Sequence, residues 1–205
     1  FSAKGSLFMS AWDPIGIDGF SDTYAGYIMD PLVDYSYLLS PISADYLPLR
    51  VNFDSIDSKA TKDEEGNIVG EFEVPANCIE YDPIENKWVE VGEGRTAITK
   101  GEYSFNYSNY HHGIPMSMLD SLYAAGFIEE WRTEDFEGDP TYNAQYSSAM
   151  TGDIVQGEIY DFENETFTSY YNYNFPPDMN RVAAQGLPTF SPSASGQGPI
   201  VSWEI

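Results

Sequence analysis

The sequence contains one cysteine, few basic residues and no long apolar run. Cys78 is the single cysteine, so no disulfide can form within the chain. No stretch approaches the roughly 18 apolar residues of a membrane-spanning helix, so we expect no transmembrane segment here. Lysine and arginine total 9 against 33 aspartates and glutamates, which gives a formal net charge of -24. Because phosphate backbones are bound through Lys and Arg, this imbalance excludes nucleic acid as a partner.

The composition nevertheless predicts a folded chain. Hydrophobic residues make up 42% and aromatic residues 16% of the 205 residues, enough to build a core. The acidity has two interpretations: a surface kept solvated outside the cell, or a solvated face with no partner. Cys78 has apolar neighbours and no basic residue nearby in the sequence, which favours an inert core thiol over a reactive one.

An aromatic strand followed by a tight turn is the clearest local pattern. Tyr103, Phe105 and Tyr107 alternate with polar residues, which is the period of a half-buried strand. Gly113 and Pro115 follow within eight residues of that strand and predict a turn. The chain is therefore expected to leave a sheet and reverse near residue 113.

A capped helix is predicted directly after this turn. Ser117 stands three residues before Asp120, the spacing of a capping box at a helix N-terminus. The residues that follow at helical spacing predict one apolar face, formed by Leu119, Leu122, Tyr123 and Phe127.

This order of strand, turn and capped helix resembles the signature of the family 5 extracellular solute-binding proteins of ABC transporters. Members of that family capture peptides, oligosaccharides or nickel chelates. His112 replaces the usual Asp of the signature, and Met118 replaces the usual Ala. Five residues match the signature pattern in this sequence: Gly113, Pro115, Ser117, Asp120 and Tyr123.

The resemblance implies a fold, a role and a location. The expected fold is α+β or mixed α/β, with a mixed β-sheet and a few flanking helices. It would be part of one lobe of a class II, cluster C type periplasmic-binding-protein-like fold. The implied role is non-enzymatic binding of a peptide or oligosaccharide, with an ABC transporter permease as partner of the full-length protein. The implied location is extracellular or periplasmic, with membrane anchoring through the full-length protein, and no cofactor is expected.

The resemblance runs from about residue 7 to about residue 190 and corresponds to the first part of a family member. We therefore expect residues 1–205 to be a single domain excised from a larger solute-binding protein. Within it, residues 54–100 are expected to be a β-hairpin insertion, because the family commonly has a short link there. Residues 132–190 are expected to form a small subdomain.

The candidate ligand contacts lie near the start of the chain. Trp12 ends a predicted strand over residues 6–12, and strand ends commonly line clefts in α/β domains. Asp13 beside it can accept hydrogen bonds from ligand hydroxyl or amino groups. Tyr24 on the next predicted helix offers a flat apolar face with a polar tip, which suits sugar rings and peptide side chains. The alternative for both aromatic residues is packing within the core.

Hairpins are predicted on both sides of the signature. Residues 54–70 are polar and charged, which predicts a loop or hairpin tip. Residues 76–81 and 87–91 flank the turn DPIEN as a second hairpin. Residues 154–162 and 163–175 read as two further strands, and alternate residues of the second fall on one face: Phe167, Ser169, Tyr171, Tyr173 and Phe175.

No catalytic motif or metal site is predicted. His111 and His112 are adjacent, so in an extended chain they point to opposite faces and cannot easily share one metal ion. No GxSxG elbow is present, and the many carboxylates neither exclude nor locate a glycosidase pair. The alternative functions are a carbohydrate-active module, either a sugar-binding domain or an acidic glycoside hydrolase, and an adhesive or cell-envelope structural module. Asn106 and Asn164 begin glycosylation tripeptides, NYS and NET, which arise often by chance.

Overall fold

The computed structural model describes residues 37–42, 46–110, 112–142 and 154–173. Trp12, Asp13 and Tyr24, with the strand and helix predicted to carry them, lie outside these described residues. Their suggested roles as ligand contacts stay predictions.

The described part of the chain is mostly β-sheet with one 15-residue helix, an α+β-like composition that agrees with the coarse fold class predicted above. In chain order the elements are β1 Tyr37–Leu39, β2 Tyr46–Pro48, β3 Val51–Ser58, β4 Ala60–Lys62, β5 Ile68–Gly70, β6 Phe72–Glu73, β7 Ile79–Asp82, β8 Lys87–Glu90, β9 Thr96–Ala97, β10 Thr99–Phe105, α1 Met118–Arg132, β11 Val155–Asp161 and β12 Thr166–Tyr171. Within these residues, no helix is both long and apolar enough to cross a bilayer.

One six-stranded sheet organises the fold, with strand order β3-β10-β12-β11-β7-β8. The pairs β1–β2, β4–β5 and β6–β9 form three small two-stranded sheets. Every strand pair with a register in the described residues is antiparallel, whereas a mixed sheet was expected. Two of the neighbouring pairs, β7–β8 and β11–β12, are joined by loops of four residues, and short loops permit only antiparallel neighbours. The hairpin predicted at the turn DPIEN is confirmed as β7–β8, and the two strands predicted over residues 154–162 and 163–175 are β11 and β12. Residues 54–70, predicted to be a loop or hairpin tip, contain the end of β3 and the β4–β5 hairpin.

One face of the sheet carries an aromatic core. Tyr103 of β10 stacks on Phe167 of β12 with ring centroids 4.6 Å apart, and the Tyr103 and Tyr171 hydroxyls lie 3.1 Å apart. Helix α1 covers this face, since Met118 belongs to the same buried cluster. Phe167, Ser169 and Tyr171 are all buried, which confirms that these three share one inward face. Tyr173 lies beyond the end of β12 and is 41% exposed, so the predicted face does not extend to it, and Phe175 lies outside the described residues.

The opposite face packs against the segment that contains β6 and β9. Its core consists of Val74, Cys78, Ala97 and Tyr170. Cys78 lies in the turn immediately before β7 and is fully buried. Burial, followed by the nearby charge of Glu158, raises the pKa of its thiol to about 11. Both observations support the predicted inert thiol.

The predicted apolar face of α1 is wrong. Leu119 and Tyr123 are 42% and 58% exposed, and of the four predicted residues only Leu122 is buried. Small residues face the sheet instead, because they let the helix backbone approach closely. At Gly126 an added Cβ would lie 3.1 Å from the ring of Tyr81, so even an alanine would press on β7. The buried residues of α1 thus combine large apolar and small side chains: Met118, Leu122, Ser121, Ala125 and Gly126.

Candidate functional site

Residues 106–117 connect β10 to α1 and are called the corner below. The corner is a small hairpin of its own, because Asn109 and Pro115 form an antiparallel bridge. The Gly113 N–H donates to the Tyr110 carbonyl at 2.8 Å, and Gly113 has φ of +91°. Glycine adopts this left-handed conformation without the steric cost of a Cβ, which explains the residue in the turn.

The helix begins where the capping pair predicts. The Ser117 N–H donates to Asp120 Oδ2 at 2.7 Å, and α1 starts at Met118. Asp120 is 1% exposed, so the carboxylate that accepts this hydrogen bond is buried. A carboxylate in the first turn also interacts favourably with the helix dipole. Asp120 therefore fixes the entry of the helix and acts structurally.

Arg50 anchors the corner to the sheet, a role that the sequence did not reveal. Its Nη1 donates to the Asn106 carbonyl at 3.0 Å, and its Nη2 donates to the Ser108 hydroxyl at 3.3 Å. The guanidinium carbon also lies 6.0 Å from the centre of the Tyr107 ring. Arg50 is 7% exposed, so these contacts hold a buried cation directly before β3.

Tyr107 joins the corner to the helix. Strand β10 ends at Phe105, two residues before the predicted end, but the Tyr107 ring still stacks on Phe105 at 4.9 Å. Its hydroxyl lies 3.2 Å from the Ser121 hydroxyl on α1. Burial raises the pKa of Tyr107 above its usual value, so this phenol stays neutral at physiological pH.

The outer surface of the corner presents aromatic side chains. The Tyr110 and His112 rings meet edge to face with centroids 5.4 Å apart, and His112 is exposed. Tyr123, one helical turn after the capping pair, is 58% exposed and lies next to Phe127 at 6.5 Å. Of the five signature residues, four build the corner and the helix start, and Tyr123 lies on the outward face of α1.

A buried carboxylate that sequence reasoning missed lies on the helix-covered face of the sheet. Glu158 is 3% exposed, accepts from the Ser169 hydroxyl at 2.7 Å and also accepts from the Tyr160 hydroxyl. Both of its oxygens are thus satisfied, as burial of a carboxylate requires. Glu158 and Ser169 are directly paired across β11 and β12. The burial of Glu158 depends on the pairing of two strands, and a local sequence pattern does not contain that pairing.

Three acidic residues, Glu130, Asp135 and Asp139, lie close together at the C-terminal end of α1. Burial, followed by the charges of Asp135 and Asp139, raises the pKa of Glu130. Asp139 accepts from both the backbone N–H and the hydroxyl of Thr141, at 2.8 and 2.6 Å. Among the described residues, no group of three or more His, Cys, Asp or Glu is arranged to hold a metal ion.

No protein-family model matches the sequence, and no curated protein matches it either. The resemblance to the solute-binding family therefore depends on the signature residues themselves. Those residues form the strand, corner and capped helix described above.

Proposed function

We propose that this chain is a ligand-binding lobe of an extracellular solute-binding protein that serves an ABC importer of peptides or oligosaccharides. One observation carries the proposal: β10, the Gly113 turn and the Ser117–Asp120 capping pair follow one another in the order of the signature. The proposed fold is part of one lobe of the class II periplasmic-binding type. The proposed location is outside the cytoplasmic membrane.

In this proposal the ligand bridges two lobes, a hinge closes, and the closed form docks on the permease. The corner supplies shape rather than chemistry, because Arg50 and Asp120 hold it from the two sides. Trp12, Asp13 and Tyr24 are the proposed ligand contacts, and no catalytic group takes part. One lobe offers half of the contacts of a bridging ligand, so binding by the isolated chain is weak.

A carbohydrate-active module is the second candidate, favoured by the exposed aromatic rings of the described residues. Tyr123, Phe136 and Phe162 are 58%, 61% and 53% exposed. Flat aromatic faces in water suit the apolar faces of sugar rings. This candidate is either a sugar-binding domain or an acidic glycoside hydrolase. A hydrolase would release reducing sugar from an oligosaccharide, so an assay of reducing ends detects the hydrolase. A sugar-binding domain would bind oligosaccharides but not peptides, which the screen below measures.

A melting-temperature screen tests the proposal. The chain is heated with short peptides and with oligosaccharides, each at about 10 mM. A dissociation constant near 1 mM predicts a rise on the order of 3 °C for the correct class of solute. The absence of any rise with every peptide and oligosaccharide would contradict the proposal.

Two variants make the screen specific. Trp12→Ala is expected to abolish the rise caused by solute, because it removes a proposed contact. Asp120→Ala is the matched control, since it removes the helix cap and lowers stability by about 1 kcal/mol while leaving the ligand contacts in place. The control therefore melts earlier but keeps the same rise. A rise that survives in Trp12→Ala and disappears in Asp120→Ala would refute these assignments.

A further inference from the structure

Carboxylates of the chain itself already hold most basic side chains of the described residues. Arg95 forms a two-pronged ion pair with Glu80, with nitrogen–oxygen distances of 2.6 and 2.7 Å, and its Nη1 also donates to the Gln156 carbonyl at 3.2 Å. Lys100 Nζ lies 2.5 Å from Glu102 Oε1. Three further ion pairs follow the same principle: Lys59 with Asp57, Lys87 with Glu85, and Arg132 with Glu129. Each of these cations has an anionic partner before any solute arrives.

Two basic residues of the described part of the chain lie outside these ion pairs. Arg50 is 7% exposed and donates to the Asn106 carbonyl and the Ser108 hydroxyl, so the corner holds its guanidinium. Lys62 is exposed at the end of β4, but the acidic residues 63–65 follow it directly. An anionic group of a solute that approached Lys62 would therefore meet more negative than positive charge. Within the described residues, no exposed basic group is placed to bind an anion well.

Exposed carboxylates, in contrast, lie in several separate loops of the fold. Glu64 is in the β4–β5 turn, Glu93 lies between β8 and β9, Glu134 follows α1, and Glu163 is in the β11–β12 loop. All four are exposed, and none is in an ion pair with another described residue. Together with the formal net charge of -24, they produce a field that attracts cations and repels anions.

The segment that contains the proposed ligand contacts has the same charge balance. Residues 12–24 include Asp13, Asp18 and Asp22 and contain no lysine or arginine. Trp12 and Tyr24 add aromatic rings, whose faces attract ammonium and guanidinium groups. A carboxylate supplies the charge-assisted hydrogen bond that such a group also requires. The contact residues thus have the chemistry of a site for a cation.

We propose that the solute is a cationic peptide, in which lysines and arginines outnumber acidic residues. This inference rests on the proposed function and narrows its class of solute. The ammonium or guanidinium groups of the peptide bind the Asp13 carboxylate and the rings of Trp12 and Tyr24. The surface charge raises the rate at which such a peptide is captured, and it repels peptides of net negative charge.

The test compares three alanine pentapeptides whose second and fourth residues are both lysine, both glutamine or both glutamate. Their dissociation constants with the full chain are measured by NMR titration at about 10 mM salt. We expect the lysine peptide to bind at least about tenfold more tightly than the glutamate peptide, with the glutamine peptide between them. At about 1 M salt this ratio should narrow, because the Debye length falls from about 30 Å to about 3 Å.

Two variants of equal charge change separate the proposed contact from the general field. Asp13→Asn should weaken binding of the lysine peptide by about fivefold or more and leave the glutamine peptide unchanged. Glu64→Gln is the matched control, since it removes one exposed carboxylate outside the proposed contacts, and it should change both dissociation constants by less than about twofold.

The possible failures are distinguishable. Equal affinities for the three pentapeptides, or tighter binding of a neutral oligosaccharide than of the lysine peptide, would overturn the cationic solute while leaving the transport proposal in place. Equal losses in Asp13→Asn and Glu64→Gln would overturn the assignment of Asp13. If no peptide and no oligosaccharide bound, the proposed function itself would fail.

Discussion

The hairpins β7–β8 and β11–β12 build one loop from two sequences. In both loops, an aspartate at the strand end accepts hydrogen bonds from two backbone N–H groups. A residue with positive φ then leads the chain into the next strand. The first loop places Asn86 at that position, and the second places Glu165 there. The comparison teaches that the aspartate and the backbone define the loop, while the residue with positive φ is open to other demands.

The surroundings of the two loops also differ. The Asn86 amide group lies 2.8 Å from Glu130 Oε2, so the first loop meets the end of α1. In the second loop the Glu165 carbonyl accepts from the Phe105 N–H at 2.9 Å, which ties the loop to the end of β10. That contact uses backbone atoms, so it does not require glutamate. The Glu165 side chain takes no part in this backbone hydrogen bond.

The largest effect is expected where the two hairpins meet. Gly157 in β11 has φ of +149°, and a Cβ there would lie 2.8 Å from the Cβ of Cys78. Gly157→Ala should lower the free energy of unfolding by about 2–3 kcal/mol through overpacking and backbone strain. Gly66→Ala is the control, because Gly66 has φ of +88° but nothing within 4 Å of the added Cβ. Urea unfolding should show the smaller loss for Gly66→Ala, and equal losses would contradict the packing argument.

The next effect separates the two aspartates. Asp161→Ala removes the bonds to two backbone N–H groups and the bond from the Asn164 side chain, whereas Asp82→Ala removes only the two backbone bonds. Thermal unfolding followed by circular dichroism should therefore show the larger fall in melting temperature for Asp161→Ala. A larger fall for Asp82→Ala would mean that the contact of the first loop with α1 dominates.

Exchange of the residues with positive φ sharpens the comparison further. Asn86→Glu should lower the free energy of unfolding by about 1 kcal/mol, and Glu165→Asn should raise it by a similar amount. The changes have opposite signs because the loop geometry is the same while the residues are reversed. Denaturant unfolding of both variants measures this directly. Changes of the same sign would show that the two loops are not equivalent.

The smallest effect is a dependence on pH in the second loop. The hydrogen bond from the Asn164 side chain, followed by backbone N–H groups, lowers the pKa of Asp161. Because the folded pKa is below the unfolded value, ionised Asp161 stabilises the fold at neutral pH. This stability is lost as the pH falls from about 4 through the folded pKa. The gap in melting temperature between the parent and Asp161→Asn should therefore narrow below about pH 4, and a constant gap would contradict this assignment.

Local chemistry explains which features the sequence could predict. The turns at Asp82 and Asp161, the Gly113 reversal and the Ser117–Asp120 pair are all encoded within six residues, so the pattern contains the information. These features define the hairpins and the start of α1.

Long-range contacts explain what the sequence did not predict. The buried face of α1 is decided by the fit of Gly126 against Tyr81, which lies 45 residues away in sequence. Arg50 finds its partners in the corner more than fifty residues later, with separations of 56 and 58 positions. Hydrophobic periodicity contains neither contact. Periodicity therefore predicted that Leu119 and Tyr123 are buried, whereas both are exposed.

The central claim is that the chain binds a peptide or an oligosaccharide through Trp12, Asp13 and Tyr24. A titration of the isotopically labelled chain with peptides and oligosaccharides, followed by amide NMR shifts, tests it most directly. The account predicts saturable shifts at Trp12, Asp13 and Tyr24, with a dissociation constant on the order of 1 mM. Shifts confined to the β4–β5 hairpin, or no shifts with any solute at about 10 mM, would contradict the claim.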